Sequence, residues 1–186
     1  MRHFAFLFFA ALIPGSLVAE MGCPANVKAI PIHKINQRQM VVGVSINHSG
    51  PYDFLLDTGT QMTVVDLSLA ADLQLTATGN ANVAGVSFQG PALYAELGRL
   101  QVGDHVTTKQ GVLVYNMKNV QRAGFAVRGL LGEDFLSRFD VLINNSDNVL
   151  CIDDTGAMLE RINAKRAPIG SAAGTARRPS HITAEP

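Results

Sequence analysis

The body of this chain has no run of lysine and arginine, and its formal net charge is zero. Nucleic acid is therefore not an expected partner, because phosphate binding needs a concentrated basic face. Histidine is sparse and scattered, at His3, His33, His48, His105 and His181, and the cysteines are Cys23 and Cys151 alone. No spacing among them resembles a metal site, so no metal and no cofactor are expected. Neither His-Glu-x-x-His nor Gly-x-Ser-x-Gly occurs, which leaves metallopeptidase and serine-hydrolase chemistry without support. There is no internal repeat and no nucleotide-binding glycine loop. A long apolar run is missing too: Phe4 to Ile13 falls well short of the roughly 20 residues a bilayer span needs.

What remains is 186 residues with 47% apolar and 16% charged content, which describes one globular domain with a real core. The ends fall outside it. Met1-Arg2-His3, the apolar run and the small residues up to Ala19 read as a secretory signal peptide over residues 1–19, cleaved after Ala19. The alternative is an uncleaved membrane anchor. From Asn163 onward, small residues, prolines and charges cannot bury enough surface to order themselves, so 163–186 is expected to be a disordered tail. The folded domain is placed at 27–160. The expected location is outside the cytoplasm, periplasmic or secreted from a bacterium, with no stable membrane insertion after cleavage. In that setting Cys23 and Cys151 can bond to each other; two free thiols, or a bridge between two chains, are the alternatives.

Along the domain, Val42, Val44 and Ile46 form one face of a strand. Asn47 to Pro51 is a turn, and Tyr52 to Leu56 is the return strand. Asp66 can cap a short helix through Leu73. Leu93–Val102 and Val106–Val114 flank a Gly103-Asp104 turn. Val141–Ile143 and Val149–Ile152 flank another. Met117–Arg128 reads as irregular. Short strands at this spacing predict a mostly β, barrel-like domain with one or two short helices.

The return strand ends in Asp57-Thr58-Gly59-Thr60. A carboxylate just past a buried strand is costly unless it is hydrogen-bonded or shares a proton, so Asp57 is placed for chemistry. Phe54-Leu55-Leu56-Asp57-Thr58-Gly59-Thr60 resembles the active-site signature of aspartic peptidases. Gly129-Leu130-Leu131-Gly132-Glu133-Asp134-Phe135-Leu136, and Phe139-Asp140-Val141-Leu142-Ile143 after it, resemble the later motifs of the single-lobe, retropepsin-like group. The resemblance covers about residues 28–153.

It implies a retropepsin-like acid protease barrel, one lobe per chain. Asp57 would be catalytic, with Thr58, Gly59 and Thr60 shaping its loop. Gly59 would permit the turn, Thr58 would lock the loop to that of a partner, and Thr60 would offer its hydroxyl to the carboxylate. Leu130, Leu131 and Gly132 would support the loop from behind. A glycine-rich flap hairpin would lie within Ala81–Tyr94, with Gly85 and Gly90 as its candidates. Peptide hydrolysis of this kind needs two carboxylates, and the chain supplies one motif. The implied protein is therefore a homodimeric endopeptidase acting on a protein or peptide through an Asp57 pair across a two-fold axis. The competing expectation is a silent peptide-binding or scaffolding module of the same fold. Asp154-Thr155-Gly156 repeats the triplet but reads as a turn after the last core strand.

Overall fold

The computed structural model describes residues 22–35, 38–84, 89–122, 124 and 126–165. The expected signal peptide and residues 166–186 of the expected tail lie outside them. Ten strands run in chain order: β1 Ala29–Ile35, β2 Gln39–Ile46, β3 Ser49–Leu56, β4 Val64–Asp66, β5 Ala77–Ala84, β6 Gln89–Val102, β7 His105–Tyr115, β8 Gly129–Leu131, β9 Asp140–Asn144 and β10 Val149–Asp153. Between them stand α1 Leu67–Asp72, α2 Lys118–Arg122 and α3 Glu133–Leu136, with α4 Ala157–Lys165 after β10. The domain is mostly β.

The strands lie in the order β5-β6-β7-β4-β8-β3-β2-β1-β10-β9, and β6 also pairs with β2. That extra pairing closes β2, β3, β8, β4, β7 and β6 into a ring. Closure removes sheet edges, which would otherwise expose unpaired backbone groups. Alternation along β2 fills the ring: Val42, Val44 and Ile46 are fully buried and pack with Phe54, Leu97, Leu100, Val112, Leu131 and Phe135. The β2–β3 connection is a two-residue turn in which Asn47 (φ 48°) and His48 (φ 70°) both adopt positive φ, as a tight hairpin requires.

A second, smaller sheet leans against the ring. β1 bends, pairing with β2 through Ile32–Ile35 and with β10 through Ala29–Pro31, and β9 covers the far side of β10. A Cys23–Cys151 disulfide joins chain positions 128 residues apart. It packs with Met158 of α4.

Four short helices occur among the described residues, more than the one or two expected. α2 lies in the stretch read as irregular and starts where the Asn116 side chain accepts the Lys118 N–H at 3.2 Å. α4 carries the chain past residue 160 and includes Asn163–Lys165 of the expected tail. It is anchored because Met158 is buried at 2% exposure and its N–H donates to Asp153 at 2.7 Å.

Candidate active site

β8 is the strand on which the site is built. It runs parallel to β3 and antiparallel to β4, inserted between them. The segment that joins β3 to β4, residues 57–63, must therefore pass over the end of β8. Asp57 sits at its start, where its N–H donates to the Leu131 carbonyl at 3.0 Å. The side chain is half-buried and both oxygens are engaged. Oδ1 accepts the Gly59 N–H at 2.9 Å, and Oδ2 accepts the Thr60 hydroxyl at 2.8 Å. Its own loop thus aims the carboxylate, through one backbone N–H and one side-chain hydroxyl. Thr58 and Gly59 are exposed, and the Thr58 hydroxyl has no partner among the described residues.

Gly129, Leu130, Leu131 and Gly132 lie where the supporting motif was expected. Gly132 is required by closeness: a Cβ there would come within 2.8 Å of the Thr60 carbonyl oxygen and the Met62 carbonyl carbon. Immediately after it, Glu133 N–H donates to Thr60 O at 2.8 Å, and Asp134 N–H to Gln61 O at 3.2 Å. The start of α3 therefore grips the far half of the Asp57 loop.

Sequence reasoning missed the polar cluster that completes this grip. Asp134 Oδ1 accepts both the N–H and the hydroxyl of Thr63, at 2.9 and 2.7 Å. Its Oδ2 accepts the Gln110 side-chain amide at 2.7 Å. The Thr63 hydroxyl in turn accepts the Gly132 N–H at 3.2 Å. Thr63 and Gln110 are almost fully buried, and a buried polar group needs such partners. The only sequence signal was the acid pair Glu133-Asp134 after Leu-Leu-Gly, of which the second builds the cluster. Its partners lie far off in the chain, Thr63 at the end of the 57–63 segment and Gln110 on β7.

The β5–β6 hairpin stands beside the loop, with Ala81 opposite Ala92 and Ala84 opposite Gln89. With Gly59, Thr60, Gln61 and Met62 it frames a cleft of about 530 Å³, into which Tyr94 and Leu113 also face. Gly90 lies on β6 with φ 141°; Gly85 lies outside the described residues. The second Asp-Thr-Gly triplet builds something else. Asp154 and Thr155 are exposed, and it is the preceding Asp153 whose oxygens accept the Thr155 N–H and hydroxyl and the Met158 N–H. These bonds hold the Asp153 carboxyl below its ordinary range, the Thr155 hydroxyl foremost. The triplet is a helix entry rather than a second loop of the Asp57 kind. Among the described residues, no cluster of three or more His, Cys, Asp or Glu could hold a metal, and no helix is long and apolar enough to cross a membrane.

A half-buried aspartate fixed by its own Thr-Gly-Thr loop, backed by an inserted strand and faced by a hairpin, defines a site of the aspartic-protease class. The model of the gag-polyprotein putative aspartyl protease family matches residues 42–138, more than half of the chain, and the chain belongs to that family. Among solved structures it is similar to a retropepsin-like aspartic protease from Rickettsia conorii. That match has 18% identity, a TM-score of 0.48, and covers 68% of this chain and 90% of that one. It is also similar to the EIAV protease complexed with the inhibitor HBY-793, at 17% identity and TM-score 0.42, covering 56% of this chain and 91% of that one. No curated protein matches.

Proposed function

We propose that the chain is an exported aspartic endopeptidase, active as a homodimer in which each copy supplies one Asp57. The observation that carries this reading is the Asp57 loop: both carboxylate oxygens are held by loop donors at 2.9 and 2.8 Å. Such preorganisation costs nothing at the moment of reaction. Chemistry supplies the rest. Two carboxylates about 3 Å apart share a proton and titrate as one coupled pair. The ionised member takes a proton from water, and the protonated member polarises the peptide carbonyl. The water attacks, and a neutral tetrahedral diol forms with no metal and no covalent enzyme intermediate. Proton return to the amide nitrogen then releases the two product peptides.

Three features support the dimer and the location. One catalytic loop occurs among the described residues. The exposed Thr58 leaves its hydroxyl available to a facing copy. The signal-like N-terminus agrees with a Cys23–Cys151 disulfide, a bond that persists in oxidising compartments. Periplasmic or secreted residence follows.

The deciding experiment is Asp57→Asn, assayed against a peptide library. Cleavage is expected to fall by on the order of 10³-fold or more, with the circular-dichroism spectrum and melting curve retained. Undiminished turnover by the variant sinks the reading.

A further inference from the structure

The sheet formed by β5, β6 and β7 has a cleft on each face, and only one of them opens beside the Asp57 loop. Successive residues of a strand point to opposite faces. Tyr94 of β6 lies opposite Leu113 of β7, and both line the cleft at the loop. The next pair, Leu93 opposite Val114, lines a second cleft of about 510 Å³ on the reverse face. Asn82 of β5 borders both clefts. Among the described residues, β5 is bonded to β6 on one side and to no strand on the other. A chain leaving the first cleft across this edge therefore meets the second.

The reverse cleft has a fixed wall. Leu67, the first residue of α1, stands there 46% exposed. Leu67 and Tyr94 are two of the three large hydrophobic residues exposed among the described residues, and each stands in one of the two clefts. The buried Asp66 carboxylate holds the wall. Its Oδ2 accepts the Ser68 N–H at 3.2 Å and also the Ser68 hydroxyl, which pins the start of α1. Its Oδ1 accepts the Met117 N–H at 3.1 Å, which pins Asn116 beside it. No charged residue lines the cleft; Asn80, Asn82 and Asn116 supply amides around an apolar floor.

We propose that this reverse face is a second recognition site for the substrate, taking an extended, uncharged segment that flanks the bond to be cut. The inference rests on the endopeptidase reading above. The flanking segment adds to β5 as an extra strand, through the backbone groups of the open edge. One of its aliphatic side chains then turns onto the reverse face and is covered by Leu67, Leu93 and Val114. The segment must be extended, because a helix has already satisfied its own backbone and offers nothing to the edge. It must be uncharged there, because a charge entering a cleft with no opposite charge loses its hydration uncompensated. The substrate that fits is a protein with a long extended stretch around the scissile bond, rather than a short peptide.

Peptides that share one cleavable core test this on the full-length chain. The first is the core alone. The second adds a flank of about five residues, valine and leucine alternating with threonine, which spans roughly 3.3 Å per residue as a strand. The third puts aspartate and lysine at the valine and leucine positions. Each flank is tried at either end of the core. The apolar flank, at one end at least, is expected to raise kcat/KM about tenfold or more over the core, through KM rather than kcat. The charged flank is expected to bring no gain. Leu67→Asp is expected to erase the gain and to leave cleavage of the core unchanged. An acid in the first turn suits a helix start, so the variant is expected to fold. If it does not, hydrogen exchange decides: the apolar-flank peptide bound to Asp57→Asn is expected to slow exchange at residues 78–81, and the core alone is not.

Equal cleavage of core and flanked peptides, or an equal gain from the charged flank, overturns the second site and leaves the endopeptidase reading standing. So does a folded Leu67→Asp that slows core and flanked peptides alike. Slow exchange at residues 78–81 in the free chain, relieved by removing residues 166–186, puts that segment on the edge and overturns the proposal. A Leu67→Asp chain that loses self-association makes the face a contact between copies and overturns it too. A native chain that cleaves none of the peptides, while the apolar flank alone slows exchange at residues 78–81, supports the second site and removes the catalytic reading.

Discussion

The Thr60 hydroxyl donates to Asp57 Oδ2 at 2.8 Å, three residues along the same loop. This bond fixes the plane of the carboxylate, so its loss should appear in the chemical step. Thr60→Val is expected to lower kcat roughly tenfold or more, the worth of a hydrogen bond to a charged group at about 1.5 kcal/mol. KM should move little, and Thr60→Ser should restore most of the rate. Steady-state kinetics on one peptide substrate checks all three.

Asp134 holds four donors, counting the Phe135 N–H at 3.0 Å. Truncation leaves two buried partners unpaired, Thr63 at the end of the 57–63 segment and Gln110 on β7. Asp134→Ala is expected to cost about 3 kcal/mol or more of folding stability, measured by urea denaturation. The Asp57 loop should loosen with it, seen as faster hydrogen exchange at Thr60–Thr63.

Gly132 is a packing requirement rather than a turn requirement. A methyl group there meets backbone of residues 60, 62 and 63 at 2.8–2.9 Å. Those atoms are not the free ends of side chains, so they cannot swing aside. Gly132→Ala is expected to lower stability by roughly 1–3 kcal/mol and to reduce activity further by displacing the loop. Calorimetry and kcat together separate the two effects.

How much of this was legible beforehand follows from how local each signal is. The alternation of β2, the Asp57 loop and the Leu130-Leu131-Gly132 support are contiguous, and each was readable as written. The Asp66 cap was too: Asp66 accepts the Ser68 N–H at 3.2 Å. The Thr63–Asp134–Gln110 cluster was not, because its members are far apart in sequence and each looks like an ordinary surface residue. The first half of β5, ahead of the hairpin expected from Ala81, escaped for a different reason. Its alanine, glycine and asparagine have little strand preference, and its pairing with β6 imposes the conformation. α4 was read partly as tail because its anchor is Met158 against the disulfide, a contact no window of sequence displays. The packing of His105 edge-on against Phe139, at 5.2 Å between ring centroids, likewise joins residues far apart in the chain.

Acid sensitivity should centre on Asp153. Its folded carboxyl titrates below the ordinary aspartate value because Thr155 and Met158 donate to the charged form. A depressed folded value contributes stability above the unfolded pKa near 3.9. That contribution is lost as pH falls through the folded value. Asp153→Asn is expected to be less stable at neutral pH and to show a flatter stability profile below about pH 4. Thermal melts from neutral to acidic buffer test the slope.

The joining of Cys23 to Cys151, with β1 bonded to β10, fixes an order of events in biogenesis. Ile32–Ile35 of the earliest strand pair with β2 at once, but Ala29–Pro31 receive their partner only when the last strand exists, so the smaller sheet cannot form until the whole domain has been made. Non-local closure of this kind slows folding. It also defers the joining of the smaller sheet to the last step of synthesis.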